Sequence, residues 1–233
     1  MVKGLLMDYG GTIDTNGQHW GEVLWNAYVQ HNVPVSKGNF RSAYTYGEKA
    51  LAIKPLIKAG HNFHDVLTIK LEQQFDFLQT NHLIETGDTS EWVKGIAEDC
   101  NVFAAKVTGD AKPVLAELSA RYPIVLVSNF YGNIHSVLRD FGLLDYFVDV
   151  VESAVVGVRK PDAAIFSLGV KALHLDALEC TVIGDSYSKD IAPGKKAGCK
   201  TIWLKGEGWG DDPTDTSMAD QLITSFSELP AKL

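Results

Sequence analysis

The chain has 233 residues, 45% of them hydrophobic, enough for one substantial core and a smaller second lobe. Its net charge of -8, without any Lys/Arg block, excludes the basic footprint that a nucleic-acid backbone requires. No apolar run approaches the roughly 20 residues of a membrane helix, and the N-terminus has no signal-like basic start and apolar middle, so a cytoplasmic protein with no membrane partner is expected, monomeric or homodimeric.

In chain order, residues 2 to 7 read as a first strand, which runs into Asp8-Tyr9-Gly10-Gly11-Thr12-Ile13, a carboxylate followed by a glycine turn. From about Gly17 to Lys106 the periodicity is helical. Trp20, Val23, Leu24, Ala27 and Tyr28 form one apolar stripe, and Phe63, Val66, Leu67, Leu71 and Phe75 form another. Beyond Thr108, apolar runs at 124–127, 148–151, 181–183 and 201–204 alternate with helical segments. One such segment places Ile165, Leu168, Gly169, Ala172 and Leu173 on a single face after Pro161-Asp162. This alternation predicts an α/β fold, a doubly wound parallel sheet with helices on both faces. Its first strand is separated from the rest by a helical insertion. Residues 206 to 213 read as a surface loop. Cys100, Cys180 and Cys199 are odd in number and match no paired metal spacing, so they are expected as buried small hydrophobes.

Ligands of such sheets bind beyond the carboxyl ends of the strands. The residues there are Asp8, then Ser128-Asn129, then Arg159-Lys160-Pro161, then Gly184-Asp185-Ser186 with Asp190 following. Several carboxylates, a hydroxyl and an ammonium on one rim suit a hard divalent cation together with a phosphoryl group.

Four segments in order resemble the motifs of the haloacid dehalogenase-like superfamily: Asp8-Tyr9-Gly10-Gly11-Thr12, Val125-Leu126-Val127-Ser128-Asn129, Val158-Arg159-Lys160-Pro161 and Ile183-Gly184-Asp185-Ser186-Tyr187-Ser188-Lys189-Asp190. The resemblance covers the core and leaves the insertion unmatched. It implies a Rossmann-like core of residues 1–14 and 107–233 with a helical cap of residues 15–106, and an Mg2+-dependent hydrolase acting on a small phosphorylated metabolite. In that family Asp8 would be the nucleophile. Ser128, Asn129, Lys160 and Gly11 would engage the phosphoryl group, and Asp8, the Gly10 carbonyl and Asp185 would hold the metal, with Thr12 and Asp190 in support.

The departure is at position 10, where the family's phosphatases carry a second Asp as general acid/base and this chain has Gly10. Losing such a group typically costs roughly 10² to 10⁴ in rate, or about 3 to 5 kcal/mol. The resemblance therefore implies slow turnover, a preference for good leaving groups, and accumulation of a phosphoenzyme. Asp14 and His19 are the nearby side chains to weigh as substitute acids, although a turn position and a helix start explain them better. Two alternatives stay open: a phosphometabolite-binding protein with little or no turnover, and a phosphonatase-like enzyme, for which the insertion offers Lys54 and Lys58 as imine-forming amines. A dehalogenase would dispense with Asp185 and Asp190. The insertion's Tyr44, Tyr46, Phe63 and Trp92, with His61 and His64, read as core or surface residues before specificity contacts.

Overall fold

The computed structural model describes residues 1–206, 209 and 215–233. The loop expected at 206–213 lies outside the described residues apart from Gly206 and Trp209. Strand β1 (Gly4–Met7) is followed by four long helices, α1 (Trp20–Gln30), α2 (Lys37–Ile53), α3 (Phe63–Thr80) and α4 (Ser90–Arg121). Then come β2 (Ile124–Ser128), α5 (Ile134–Asp140), β3 (Asp149–Glu152), α6 (Ser153–Val156), α7 (Ala164–Leu173), β4 (Cys180–Gly184), α8 (Ala192–Lys196), β5 (Lys200–Leu204) and β6 (Gln221–Ile223). The strands form one parallel sheet in the order β3-β2-β1-β4-β5-β6.

The first strand is thus central, with Met7 opposite Leu126 on one side and Ile183 on the other. Connections run outward in one direction through β2 and β3 and in the other through β4, β5 and β6. The tips of β1 and β4 therefore flank the switch point where open parallel sheets bind ligands. Side chains alternate between faces, as the strand period requires. Leu5, Met7, Ile124, Leu126, Ile183 and Ile202 join the core cluster that continues into the insertion. Leu6, Val125, Val127 and Val182 pack against Ile165, Phe166 and Leu173 of α7 on the opposite face. Helix α7 begins three residues after Pro161, with the Asp162 carboxylate accepting from the Ala164 N–H at 2.9 Å.

The insertion has its own aromatic centre, in which Tyr28 stacks on Phe75 at 5.2 Å and Phe75 on Trp92 at 5.7 Å. Helix α4 is continuous across positions 106 and 107, where the expected boundary between insertion and core falls. Its buried stripe of Cys100, Ala104, Thr108, Ala111 and Leu115 passes from one to the other without a break. Strand β6, three residues long with Gln221 and Leu222 exposed, was not anticipated, because so short a half-exposed run carries no period. The three cysteines are buried and unpaired. No helix among the described residues is long and apolar enough to cross a membrane.

Gly169 is the tightest point of helix-to-sheet packing that the stripe identified. A Cβ there would meet Leu6 at 2.8 Å and Val127 at 3.1 Å. Gly169→Ala should destabilise the protein by about 1 to 3 kcal/mol, read as a lower urea midpoint with unchanged slope. An unchanged midpoint would show that α7 can shift freely.

Candidate functional site

Four chain segments meet at the carboxyl rim of the sheet. Asp8 follows β1, Ser128 ends β2, Lys160 lies in the loop between α6 and α7, and Asp185 follows β4. Asp190 lies in the single wide helical turn Tyr187–Ile191, where one carboxylate oxygen accepts from the Ser186 N–H at 3.1 Å. Lys160 Nζ donates to Asp8 Oδ1 at 2.5 Å and to Asp190 Oδ1 at 2.7 Å. One carboxylate oxygen each from Asp8, Asp185 and Asp190 lies within 4.8 Å of the others. The Thr12 hydroxyl accepts from the Asp185 N–H at 3.0 Å and stands 3.2 Å from Asp185 Oδ1 and 3.5 Å from Asp8 Oδ2. It ties the first and last motifs together.

Burial governs the charge state. It pushes the Asp8 carboxyl up to about 6, with Lys160 opposing and Asp190 adding to the rise. Asp185 is held well above the usual carboxylate range by burial and by the neighbouring Asp8 and Asp190. The Lys160 ammonium is also buried, yet Asp190 and Asp8 more than offset that cost and keep it charged. Fully ionised, three carboxylates against one ammonium would leave two negative charges uncompensated, and this repulsion adds to the raised pKa of Asp8 and Asp185. An all-oxygen donor set with that imbalance fits a divalent hard cation such as Mg2+.

Gly11 has φ +93, and a Cβ there would collide with the Asp185 carboxylate, so only glycine lets this turn pass beneath Asp185. Its N–H donates to Asp14 Oδ1 at 2.7 Å, so Gly11 is engaged within its own turn. Gly10 is different. It is exposed, and a Cβ there would meet nothing within 4 Å. The Asn129 amide lines the cavity and also donates one N–H to the Lys160 carbonyl at 3.0 Å and accepts from the Lys160 N–H at 2.9 Å. It fixes the backbone from which Lys160 reaches the rim.

Above the rim is a cavity of about 180 Å³, walled by Asp8, Gly10, Ser128, Lys160 and Asp185 below and by residues of the insertion above. Asp14 and His19 both line it. Asp14 lies in the expected turn but faces inward, accepting also from the Trp20 indole at 2.8 Å, and burial pushes its carboxyl up to about 7. His19 starts α1, with Nδ1 accepting from the Gly21 N–H at 3.0 Å and the ring stacked on Trp209; burial lowers its pKa to about 4. With Nδ1 accepting, the neutral imidazole carries its proton on Nε2, where it is a far weaker acid than an imidazolium.

Sequence reasoning missed a second polar cluster in the cavity wall. Lys70, in the middle of α3, is buried and pairs with Glu48 of α2 at 2.6 Å, and Glu48 accepts from the Tyr131 hydroxyl at 2.8 Å. The available signal was that Lys70 occupies a position of the apolar stripe, between Leu67 and Leu71, where a charge is out of place. Lys54 and Lys58 are exposed and do not line the cavity. Among the insertion's aromatics, Tyr44 and Phe63 line it, whereas Tyr46 packs on Phe77 and Trp92 on Phe75.

Comparison with known families matches residues 2–198 to the description "haloacid dehalogenase-like hydrolase". The chain belongs to this family of hydrolases. It is 31% identical over 184 residues to a glyceraldehyde 3-phosphate phosphatase of Pyrococcus abyssi, covering 76% of this chain and 69% of that protein. It is 25% identical over 232 residues to a phosphoglycolate phosphatase of Yersinia pseudotuberculosis, covering 98% and 91%. Among solved structures, a dehalogenase with an intermediate complex superposes with a TM-score of 0.69 at 16% identity, covering 100% of this chain and 97% of that one. The HAD-hydrolase YfnB of Bacillus subtilis, solved bound to magnesium, superposes with a TM-score of 0.61 at 19% identity, covering 100% and 98%. At these identities the superpositions establish the shared fold.

Asp14 gives the site a measurable pH signature. Its folded pKa lies above the ordinary carboxylate value, so its contribution to stability is full below about pH 4 and is lost as pH rises towards 7, by about 1.4 kcal/mol per unit crossed. Asp14→Asn forfeits the acceptor for Trp20 but removes this titration. The stability of the variant relative to the parent should therefore improve steadily between pH 5 and pH 7.5 in urea melts. A constant difference would mean that Asp14 titrates at its usual value.

Proposed function

We propose that this hydrolase is an Mg2+-dependent phosphatase that transfers the phosphoryl group of a small metabolite to Asp8 and then to water. An Asp8 carboxylate oxygen bonds to phosphorus as the ester oxygen departs, and hydrolysis of the resulting acyl phosphate regenerates the carboxylate. Lys160 and the Ser128 hydroxyl hold the phosphoryl oxygens, while Asp190 and Thr12 keep Lys160 and Asp185 in place. Asp8, the Gly10 carbonyl and Asp185 would hold the cation, which when bound neutralises the carboxylates and the transferring oxygens. The observation that carries this reading is the meeting of Asp8, Asp185 and Asp190 around Lys160 at the switch point of the sheet.

Two further facts support a small substrate. The cavity of about 180 Å³ falls below the roughly 300 Å³ at which pockets for drug-sized molecules begin. The relatives above are named for phosphatase activity on glyceraldehyde 3-phosphate and phosphoglycolate. Residues 15–106 act as the cap, excluding water from the rim and selecting what enters. The phosphonatase alternative loses support, because Lys70, the cavity lysine of the insertion, is held charged by Glu48 despite its burial, and an imine requires a neutral amine.

With Gly10, no carboxylate stands where the family's acid/base does, so leaving groups that depart as stable anions are favoured. Gly10 also favours the second reading, binding with little turnover, and one variant separates the two. There is room for a side chain, so Gly10→Asp should raise the Mg2+-dependent rate on an alkyl phosphate by roughly 10² to 10⁴ and much less on acetyl phosphate. Asp8→Asn should abolish both rates. No rate on either substrate from the parent or from Gly10→Asp would overturn the phosphatase reading in favour of binding.

A further inference from the structure

We infer that Lys70 is a second anion subsite, with Glu48 as its internal partner, so that the substrate is a short phosphate ester carrying a carboxylate or comparable anion at the end remote from phosphorus. This inference rests on the phosphatase reading above. Lys70 lies on the buried face of α3 among Val66, Leu67, Leu71 and Phe75, where the other buried polar side chain nearby, Gln74, is neutral and accepts from the Tyr28 hydroxyl. A buried ion pair is generally no more stabilising than well-packed apolar residues of the same size, so core packing gives no reason for a charge here. The pair instead lines the same cavity as Asp8.

The donor arithmetic leaves capacity for a ligand. A lysine ammonium has three N–H donors, and Glu48 is the ion-pair partner of Lys70 among the described residues. The Tyr131 ring faces the ammonium at 5.6 Å, and the Tyr131 hydroxyl holds Glu48 from the core side. Glu48 therefore aims Lys70 and is itself aimed. Arg159 and Lys189 also border the cavity, so away from the metal-binding acids and Asp14 its wall carries three cations against the single carboxylate Glu48. Such a wall favours an anion. With the phosphoryl group at Asp8 and Lys160, a cavity of about 180 Å³ that Lys70 also lines has room only for a small molecule carrying both charges.

Calorimetric titration with non-hydrolysable probes in the presence of Mg2+ tests the inference independently of turnover. Phosphonoacetate carries both charges, and methylphosphonate carries one. The parent protein should bind phosphonoacetate at least about tenfold more tightly than methylphosphonate. Lys70→Gln should bring that ratio to near one, while Glu48→Gln, which removes the competing carboxylate and keeps the ammonium, should widen it. Equal affinities in the parent, or a ratio reduced alike in both variants, would overturn the subsite and leave the pair as a structural contact. Failure of both probes to bind the parent would instead overturn the phosphate site itself, and the subsite with it.

Discussion

Lys160 reaches across the rim of the sheet and donates to Asp8 and Asp190 at once, and this double contact is what allows three acids to share one buried pocket. Without a cation among them, like charges at such separations would force protonation or open the site. The surrounding structure is arranged to keep the ammonium there. Asn129 clamps the Lys160 backbone in both directions. The Trp203 indole holds the Asp185 carbonyl at 2.8 Å, and Gly11 leaves room beneath Asp185. The central position of β1 follows from the same need, since only the middle of the sheet places Asp8 next to the tips of both β2 and β4.

The insertion adds a second wall above this rim and makes it a cavity. Its helices are stabilised by their own aromatic core and by α4, which runs unbroken from the insertion into the sheet domain. A helix shared in this way limits how far the two parts can move apart at that connection. The Tyr131 to Glu48 hydrogen bond adds a polar contact between the loop after β2 and the insertion. On the reading proposed above, selection of substrate and exclusion of water fall to residues carried by α1, α2 and α3, and the chemistry to the rim of the sheet.

The core was legible in the sequence because apolar runs end in Asp8, Ser128 and Asp185, and these border the same cavity as Lys160, which the short helix α6 separates from β3. What sequence could not resolve was direction and partnership. Asp14 reads as a turn residue until the Gly11 N–H and the Trp20 indole are found on its two oxygens. Lys70 and Glu48 are 22 positions apart on different helices, and neither gains meaning until the helices pack. Asn129 carries two amide N–H donors, and sequence could not tell that one of them bonds the Lys160 carbonyl. The boundary near residue 106 was placed where the apolar pattern changes from helix to strand, yet the helix itself crosses that point.

On the reading proposed above, the absence of a side chain at Gly10 leaves Asp8 as nucleophile, the counter-charges and the oxygen ligands in place and removes proton delivery alone. Attack by Asp8 on a phosphate with a good leaving group needs little protonation, whereas release of the acyl phosphate to water benefits strongly from a base. The two half-reactions should therefore be unequally affected. Rapid acid quench of the protein mixed with acetyl phosphate and Mg2+, followed by peptide mass mapping, measures this directly. The expected result is a phosphoryl group on Asp8 that accumulates during turnover; turnover with no label on Asp8 at any time would contradict the assignment of Asp8 as nucleophile.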